Sequence, residues 1–414
     1  MIEITDKSKC CGCTACYSIC PKNAIQMISD NEGFIYPRVD DTRCIDCGIC
    51  DKVCPIVSPY SPVIKKTSSK YAVQNLSENE RKQSTAGGFF SIIARYIIED
   101  FNGIVFAVGF DGYTVVHKSA CSLDILEEMR GSKYVQSNLG NTFIAVRNAI
   151  NEGIKCLFVG TPCQVNGIEK FLRNSKCREN LITVDLLCLG VSSPKIYEKW
   201  VEYLQFKYND AVKRVYFRDK SYGYSTANVR VCFETRKPLE QCYDAKSLLK
   251  TFFTGYNMRP SCYDCSFRCL ERGSDFTIGD FHQIGQHCQD MDDDKGTTCV
   301  WAHSENAQRL IKVLESKMKV HIIEDSCSSV IGDRSKLTAI PDNRGEFFDD
   351  VESMTYPVLV NKWAKNDFRG ALANFLKPII NKMPLKTIIF KAIKKNKQKK
   401  FQQRIASANK VNGE

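Results

Sequence analysis

The sequence predicts an α/β (α+β) protein in three parts: a small N-terminal module, a larger mixed α/β domain and a basic helical tail. Three observations predict it. Eight cysteines fall into two copies of one spacing within the first 54 residues. Strand-like apolar runs then alternate with amphipathic helical stretches, the signature of a mixed or parallel sheet with helices on its faces. Finally, 14 Lys and Arg against 2 Asp and Glu follow from Asn361 onward, leaving 44 basic against 45 acidic residues in the remainder. The whole net charge of +11 therefore sits in the tail, and the balanced body excludes a general nucleic-acid surface.

In the module, Cys10, Cys13, Cys16 and Cys20, followed by Pro21, fit C-x2-C-x2-C-x3-C-P, and Cys44, Cys47, Cys50 and Cys54, followed by Pro55, repeat it. Three thiolates on a tight turn can hold three corners of a 4Fe-4S cubane, while the fourth, kept extended by its proline, reaches the other cluster. The spacing thus assigns Cys10, Cys13, Cys16 and Cys54 to one cluster, and Cys44, Cys47, Cys50 and Cys20 to the other. This crossed pattern resembles the bacterial dicluster ferredoxin over residues 1–58. Zinc is the competing reading, because C-x2-C pairs also build zinc ribbons, but it gives no role to a third evenly spaced cysteine and a prolyl fourth. Cys11 falls outside the spacing and reads as a thiol beside the cluster, or as a substitute for Cys10. Between the motifs, AIQMISDNEGFIYPRVD reads as two strands around a turn in DNEG.

The 22 cysteines are too unevenly spaced for a secreted disulfide framework. MIEITDKSKC lacks the apolar run of a signal peptide, and no run of about eighteen apolar residues follows. The expectation is a reducing cytoplasm, where clustered cysteines serve as metal ligands or redox centres. Cys121, Cys156, Cys177, Cys232, Cys242, Cys288, Cys299 and Cys327 lack ligand spacing and read as small buried hydrophobes or idle thiols.

A shift to Pro, Ser and Lys in CPIVSPYSPVIKKTSSK marks a linker over residues 56–70, and the large domain is expected over 70–345. STAGGFFSIIARYIIED is a Gly-Gly turn leading into a helix, whose free N–H groups suit either a phosphate or flat cofactor, or close packing on a neighbour. GIVFAVGF, IKCLFVG and the end of FLRNSKCRENLITVDLLC read as buried strands, with helices in NTFIAVRNAINEG and GIEKFLRN. FVGTPCQV exposes Thr161, Pro162, Cys163 and Gln164 after a strand, and VDLLCLGVSSP does the same for Cys188. Ligands gather at such carboxyl ends in open α/β sheets. NMRPSCYDCSFRC adds Cys262 and Cys265 as a C-x2-C pair, with Cys269 four residues on, so four thiolates from two strand ends and a loop could complete a further cluster.

STAGGFF, GSKYVQS, GTPCQV, CLGVSSP, FRDKSYGY and RPSCYDCSF…RGSDFTIGDF, in that order, resemble the beta subunit of coenzyme F(420) hydrogenase and dehydrogenase, over about residues 70 to 300. The resemblance implies FAD in the large domain, a third 4Fe-4S cluster beside it, and hydride exchange with a deazaflavin coenzyme. It places Ser84, Gly87, Gly88, Ser132, Lys133 and Tyr134 near the flavin. A lysine there would stabilise negative charge on the isoalloxazine or pyrophosphate. The implied third-cluster ligands are Cys163, Cys188, Cys262 and Cys265, with Cys269 as the substitute. Where this family often has tryptophan and glycine after GDF, the chain has His282 and Gln283, which puts the deazaflavin in question. Asp280 reads as a pocket carboxylate or a turn former, and His282 as a structural residue or a proton donor.

In the extension over 346–414, FLKPIINKMPLKTIIFKAIKKNKQKKFQQRI mixes apolar residues with lysine. It reads as a solvated tail, a peripheral contact with an anionic membrane face, or a docking segment for a protein partner. The function expected is an oxidoreductase passing electrons between ferredoxin-type clusters and a flavin that exchanges hydride with a deazaflavin or another organic substrate. A redox protein or small molecule would serve as donor or acceptor. The alternatives are a ferredoxin-dependent reductase of a carbohydrate-pathway metabolite, or a non-catalytic electron-transfer subunit of a larger complex. Catalytic residues are not assignable from the sequence.

Overall fold

Each cysteine run bends through left-handed backbone before winding into one turn and a half of helix. Gly12 has φ +69° and Thr14 φ +62° before helix Ala15–Ile19, and Gly48 has φ +66° before helix Ile49–Val53. Cys20 and Cys54 then leave in extended geometry, as the following prolines require. Strands β1 (Ile25–Ser29) and β2 (Ile35–Val39) form the expected antiparallel hairpin, with Ile25 opposite Val39. Asp30 closes its turn by accepting from the backbone N–H groups of Glu32 and Phe34. This computed structural model describes residues 1–59, 69–226, 228–269, 272–324 and 339–364.

The strands that follow are β3 (Ser69–Asn75), β4 (Ile104–Asp111), β5 (Thr114–Ala120), β6 (Cys156–Gly160), β7 (Leu181–Leu186), β8 (Val212–Asp219), β9 (Asn228–Phe233), β10 (Leu239–Glu240), β11 (Phe276–Asp280), β12 (Thr298–Ala302) and β13 (Met318–Ile323). Eight of them form one mixed sheet in the order β13-β3-β12-β11-β7-β6-β4-β5. Its centre, β4-β6-β7-β11, is parallel, and its flanks are antiparallel. Strands β10, β9 and β8 make a separate antiparallel sheet.

Alternation along the central strands feeds two cores. Val105, Leu157 and Val184 pack with Phe89, Ile93 and Ile97 of helix Phe89–Phe101. Phe106 and Phe158, one residue on, pack with Phe143, Val165 and Ile168 of helices Thr142–Asn151 and Pro162–Phe171, and with Ala15 and Ile25 of the cysteine module. The module is thus seated on one face of the large sheet. Gly167 permits the close approach, since a Cβ there would lie 2.9 Å from Cys13 Sγ.

A third core joins β8, β9 and helix Pro194–Tyr208 to helices Arg344–Ser353 and Tyr356–Trp363, through Phe347, Phe348, Val351, Leu359 and Val360. The packed fold therefore runs past residue 345, because these aromatic and aliphatic positions need a partner surface. Arg344 also pairs with Glu32 of the hairpin, Nη1 to Oε1 at 2.7 Å. Most of the proposed linker, Cys327 and the basic tail from residue 365 lie outside the described residues. Among the described residues no helix is long and apolar enough to cross a membrane.

Candidate iron-sulfur and cofactor site

Two small cavities in the module are lined by the two crossed cysteine sets. One holds Cys10, Cys13, Cys16 and Cys54 among Ile2, Ile4, Met27 and Ile56. The other holds Cys20, Cys44, Cys47 and Cys50 among Ile25, Val39, Ile45 and Ile49. Backbone N–H groups aim at the sulfurs: Ala24 at Cys20, 3.3 Å, Ile2 at Cys50, 3.3 Å, and Asp46 at Cys44, 3.4 Å. Burial pushes the Cys16 and Cys54 thiols up. Donors directed at sulfur and apolar walls that disfavour a bare thiolate suit a cationic iron core, which offsets the charge the cavity otherwise penalises. The thiols ring a space and do not converge on a point. Among the described residues, no group of three or more His, Cys, Asp or Glu side chains is set to hold a single metal ion.

A far larger cavity, about 580 Å³, opens at the carboxyl ends of β6, β7 and β11, within the range of small-molecule sites. It joins features more than 150 residues apart in the chain: Ser84, Gly88, Ser132, Lys133 and Tyr134 line it together with Cys163, Cys188, Cys262 and Cys265. Cys163 rides on the first turn of helix Pro162–Phe171, Cys188 follows β7, and Cys262 closes the 3-10 turn Pro260–Cys262. Burial, with Cys163 nearby, pushes the Cys188 thiol up to about 12. Cys262 and Cys265 are raised by burial and by their neighbouring thiols, and Cys163 by its hydrogen bond with Cys11 and by burial. This donor set suits a cluster for the same reason as the module's sets. Cys269 is exposed and does not line the cavity.

Other residues singled out in the sequence take different positions. Gly87 does not line the cavity: its N–H donates to Thr298 Oγ1 at 2.9 Å, and a Cβ would meet the Val73 carbonyl at 2.1 Å. Gly88 lines it with φ +90°, a left-handed cap before helix Phe89–Phe101. Ser84 donates to the Glu80 carbonyl, and Thr85 ties its loop to the second by accepting from the Ser132 N–H at 2.8 Å. Lys133 turns its ammonium to the carbonyls of Met129, Val108 and Arg130 at 2.8, 2.9 and 3.1 Å. It satisfies the end of helix Leu123–Met129, and burial lowers its pKa to about 7. Tyr134 packs on Phe252, ring centroids 5.4 Å apart.

Three supporting features carry no sequence signature beyond the motifs that contain them. Lys220, in FRDKSYGY, donates to the carbonyls of Arg81, Ala86 and Lys295 and so fixes the Ser84–Gly88 loop. Gln164 is buried, not exposed as the sequence suggests. Its Oε1 accepts from the Thr161 N–H and its Nε2 donates to Ser137 Oγ, which meets His117 Nδ1 at 2.9 Å. This network holds the turn that carries Cys163. At the cavity wall, Asp280 lies 3.4 Å from Arg218 and 3.7 Å from His282 Nε2, and His282 Nδ1 meets the Tyr224 hydroxyl at 3.0 Å.

Comparison with known proteins agrees with this geometry. The C terminus of the coenzyme F(420) hydrogenase/dehydrogenase beta subunit matches residues 153–326, and a 4Fe-4S dicluster domain matches residues 9–57. The coenzyme F(420)-dependent sulfite reductase of Methanocaldococcus jannaschii is 29% identical over 41% of this chain, and the chain spans 26% of that enzyme's length. An uncharacterized ferredoxin of the same organism is 36% identical over 15% of the chain and 79% of its own length. A chain of the F(420)-reducing [NiFe] hydrogenase complex from Methanosarcina barkeri aligns over 69% of this chain and 90% of its own, with a TM-score of 0.43 and 15% identity. The tandem cysteine motifs, the strand-end thiols and these matches together establish that the chain belongs to the coenzyme F(420) hydrogenase/dehydrogenase beta-subunit family and carries an N-terminal 4Fe-4S dicluster domain, as an iron-sulfur protein of the oxidoreductase type.

Proposed function

We propose that the protein is an iron-sulfur flavoprotein oxidoreductase that moves electrons between an organic hydride carrier and a partner redox protein. The observation that carries this reading is the shared cavity, in which the Ser84–Gly88 and Ser132–Tyr134 loops face the same space as four thiols. FAD bound there would exchange hydride with a substrate and single electrons with a cluster, the only two currencies the reaction needs. The chain's own residues prepare the space. Lys220 and Thr85 fix the two loops, Gln164 and Ser137 fix the Cys163 turn, and Phe89, Val135 and Phe252 make the walls apolar. Cys163, Cys188, Cys262 and Cys265 would hold the third cluster. Cys10, Cys13, Cys16 and Cys54 would hold the next, and Cys20, Cys44, Cys47 and Cys50 the last, whose Cys47 is exposed to a partner.

The names of the relatives favour a deazaflavin as the hydride carrier. The Tyr224–His282–Asp280 chain, where the family often has tryptophan, favours another organic molecule that needs a proton donor at the mouth. Reduced deazaflavin added anaerobically to the reconstituted protein decides between them. Bleaching of the flavin band supports the first carrier. A flavin band that persists sinks the deazaflavin reading and leaves the other, whereas absence of any flavin band sinks the flavoprotein reading itself.

A further inference from the structure

Arg259 is 1% exposed, and among the described residues no carboxylate pairs with it. A buried guanidinium ordinarily has a counterion, since an unpaired buried charge is strongly disfavoured. Its donors instead reach the module: Nε to the Cys10 carbonyl at 2.8 Å, Nη2 to the Ile35 carbonyl at 2.9 Å, and Nη1 to Gln136 Oε1 at 2.9 Å. Nη2 also stands 3.6 Å from Cys10 Sγ. The same guanidinium interacts electrostatically with Cys10, Cys11, Cys262 and Cys163, and stacks over Tyr36 at 4.3 Å. Lys170 stands near Cys54, and Arg268 near Cys188 and Cys265, each beside one thiol set. Arg259 faces both. Cys11, read from the sequence as a bystander, joins the sets at this point, hydrogen-bonded to Cys13 and to Cys163.

Resting on the cluster assignments above, we propose that Arg259 is a positioning residue whose counterions are the two clusters it lies between, and that it raises the reduction potential of both. A cubane held by four thiolates carries net negative charge that grows on reduction, so a fixed cation in a low-dielectric setting favours the reduced form. Its fork at the same time fixes the Cys10–Gly12 turn, where Gly12 alone leaves room for Nη1. The junction between cavity and module is thereby made both rigid and easy to charge with an electron.

The test is an anaerobic redox titration followed by EPR on wild type, Arg259→Gln and Arg259→Lys, with iron and sulfide measured on each and Cys163→Ser used to assign the third cluster's signal. In Arg259→Gln the two adjacent clusters should become about tenfold harder to reduce, about 59 mV for a one-electron couple. The cluster at Cys20, Cys44, Cys47 and Cys50 should stay in place as an internal control, and Arg259→Lys should keep the wild-type values. Loaded clusters with unchanged potentials, three potentials that move together, or a lysine variant that behaves like glutamine would overturn the proposal. Should Arg259→Gln lose its iron, Gln136→Glu carries the test: a carboxylate against Nη1 offsets the charge in place, and the same two potentials should fall. Their constancy in that variant rejects the role. A wild type without three clusters rejects the underlying assignment instead, which separates the two failures.

Discussion

The N-terminal module and the large cavity gather the same kind of ligand by opposite means. In the module, three of the four thiols of each set come from one turn, and only one crosses over, so loop closure is short and the set forms locally. In the cavity, Cys163, Cys188 and the Cys262–Cys265 pair arrive from three separate elements, and the completed sheet alone brings them together. The first kind of site tolerates damage elsewhere in the chain. The second depends on the whole fold, and on polar side chains such as Gln164 and Lys220 that hold its turns.

The sharpest way to break this comparison is to remove one thiol from each side. Cys163→Ser should lose about four irons per chain while the module's clusters persist, and Cys13→Ser should lose the module's nearer cluster while the cavity keeps its own. Iron and sulfide quantitation reads both, and loss of all iron in either variant would deny that the sites are independent. Next in size is Gly167→Val. A Cβ 2.9 Å from Cys13 Sγ should push the module off the sheet, lowering stability by about 1–3 kcal/mol in denaturant titrations and depleting the adjacent cluster first.

Lys133→Met sharpens the cavity side. Three carbonyls that now accept from its ammonium would lose their donor, so a cost of about 1–3 kcal/mol is expected with flavin content retained. Loss of flavin without loss of stability would instead make Lys133 a cofactor contact. The smallest effect concerns pH. Burial lowers the His117 pKa from 6.5 to about 4, so the unfolded chain binds the extra proton in that interval. Stability from this group is therefore complete above about 6.5 and is lost as pH falls toward 4, by roughly 3 kcal/mol in all. His117→Gln should flatten the cavity domain's stability profile between those values, and an unchanged slope would remove His117 from the network.

The hairpin and the three central strands were legible from the sequence because spacing, turn residues and apolar runs are local signals. Cys163 and Cys188 were legible because strand ends announce themselves. Lys133 was legible as a conspicuous cation, but not in its role, since the carbonyls it serves come from β4 and a helix end. His117, Gln164, Lys220 and Arg259 act through partners 20 or more residues away, and no local pattern marks such a residue. Cys11 failed for a related reason: spacing excluded it as a ligand, yet the fold sets it between two thiol sets.

The central claim is that these thiols grip inorganic clusters and connect a cofactor cavity to the module. Anaerobic purification followed by iron, acid-labile sulfide and zinc analysis tests it most directly. The account predicts about twelve irons and as many sulfides per chain, four for each cubane. A colourless protein, or zinc in stoichiometric amount with no sulfide, would contradict it.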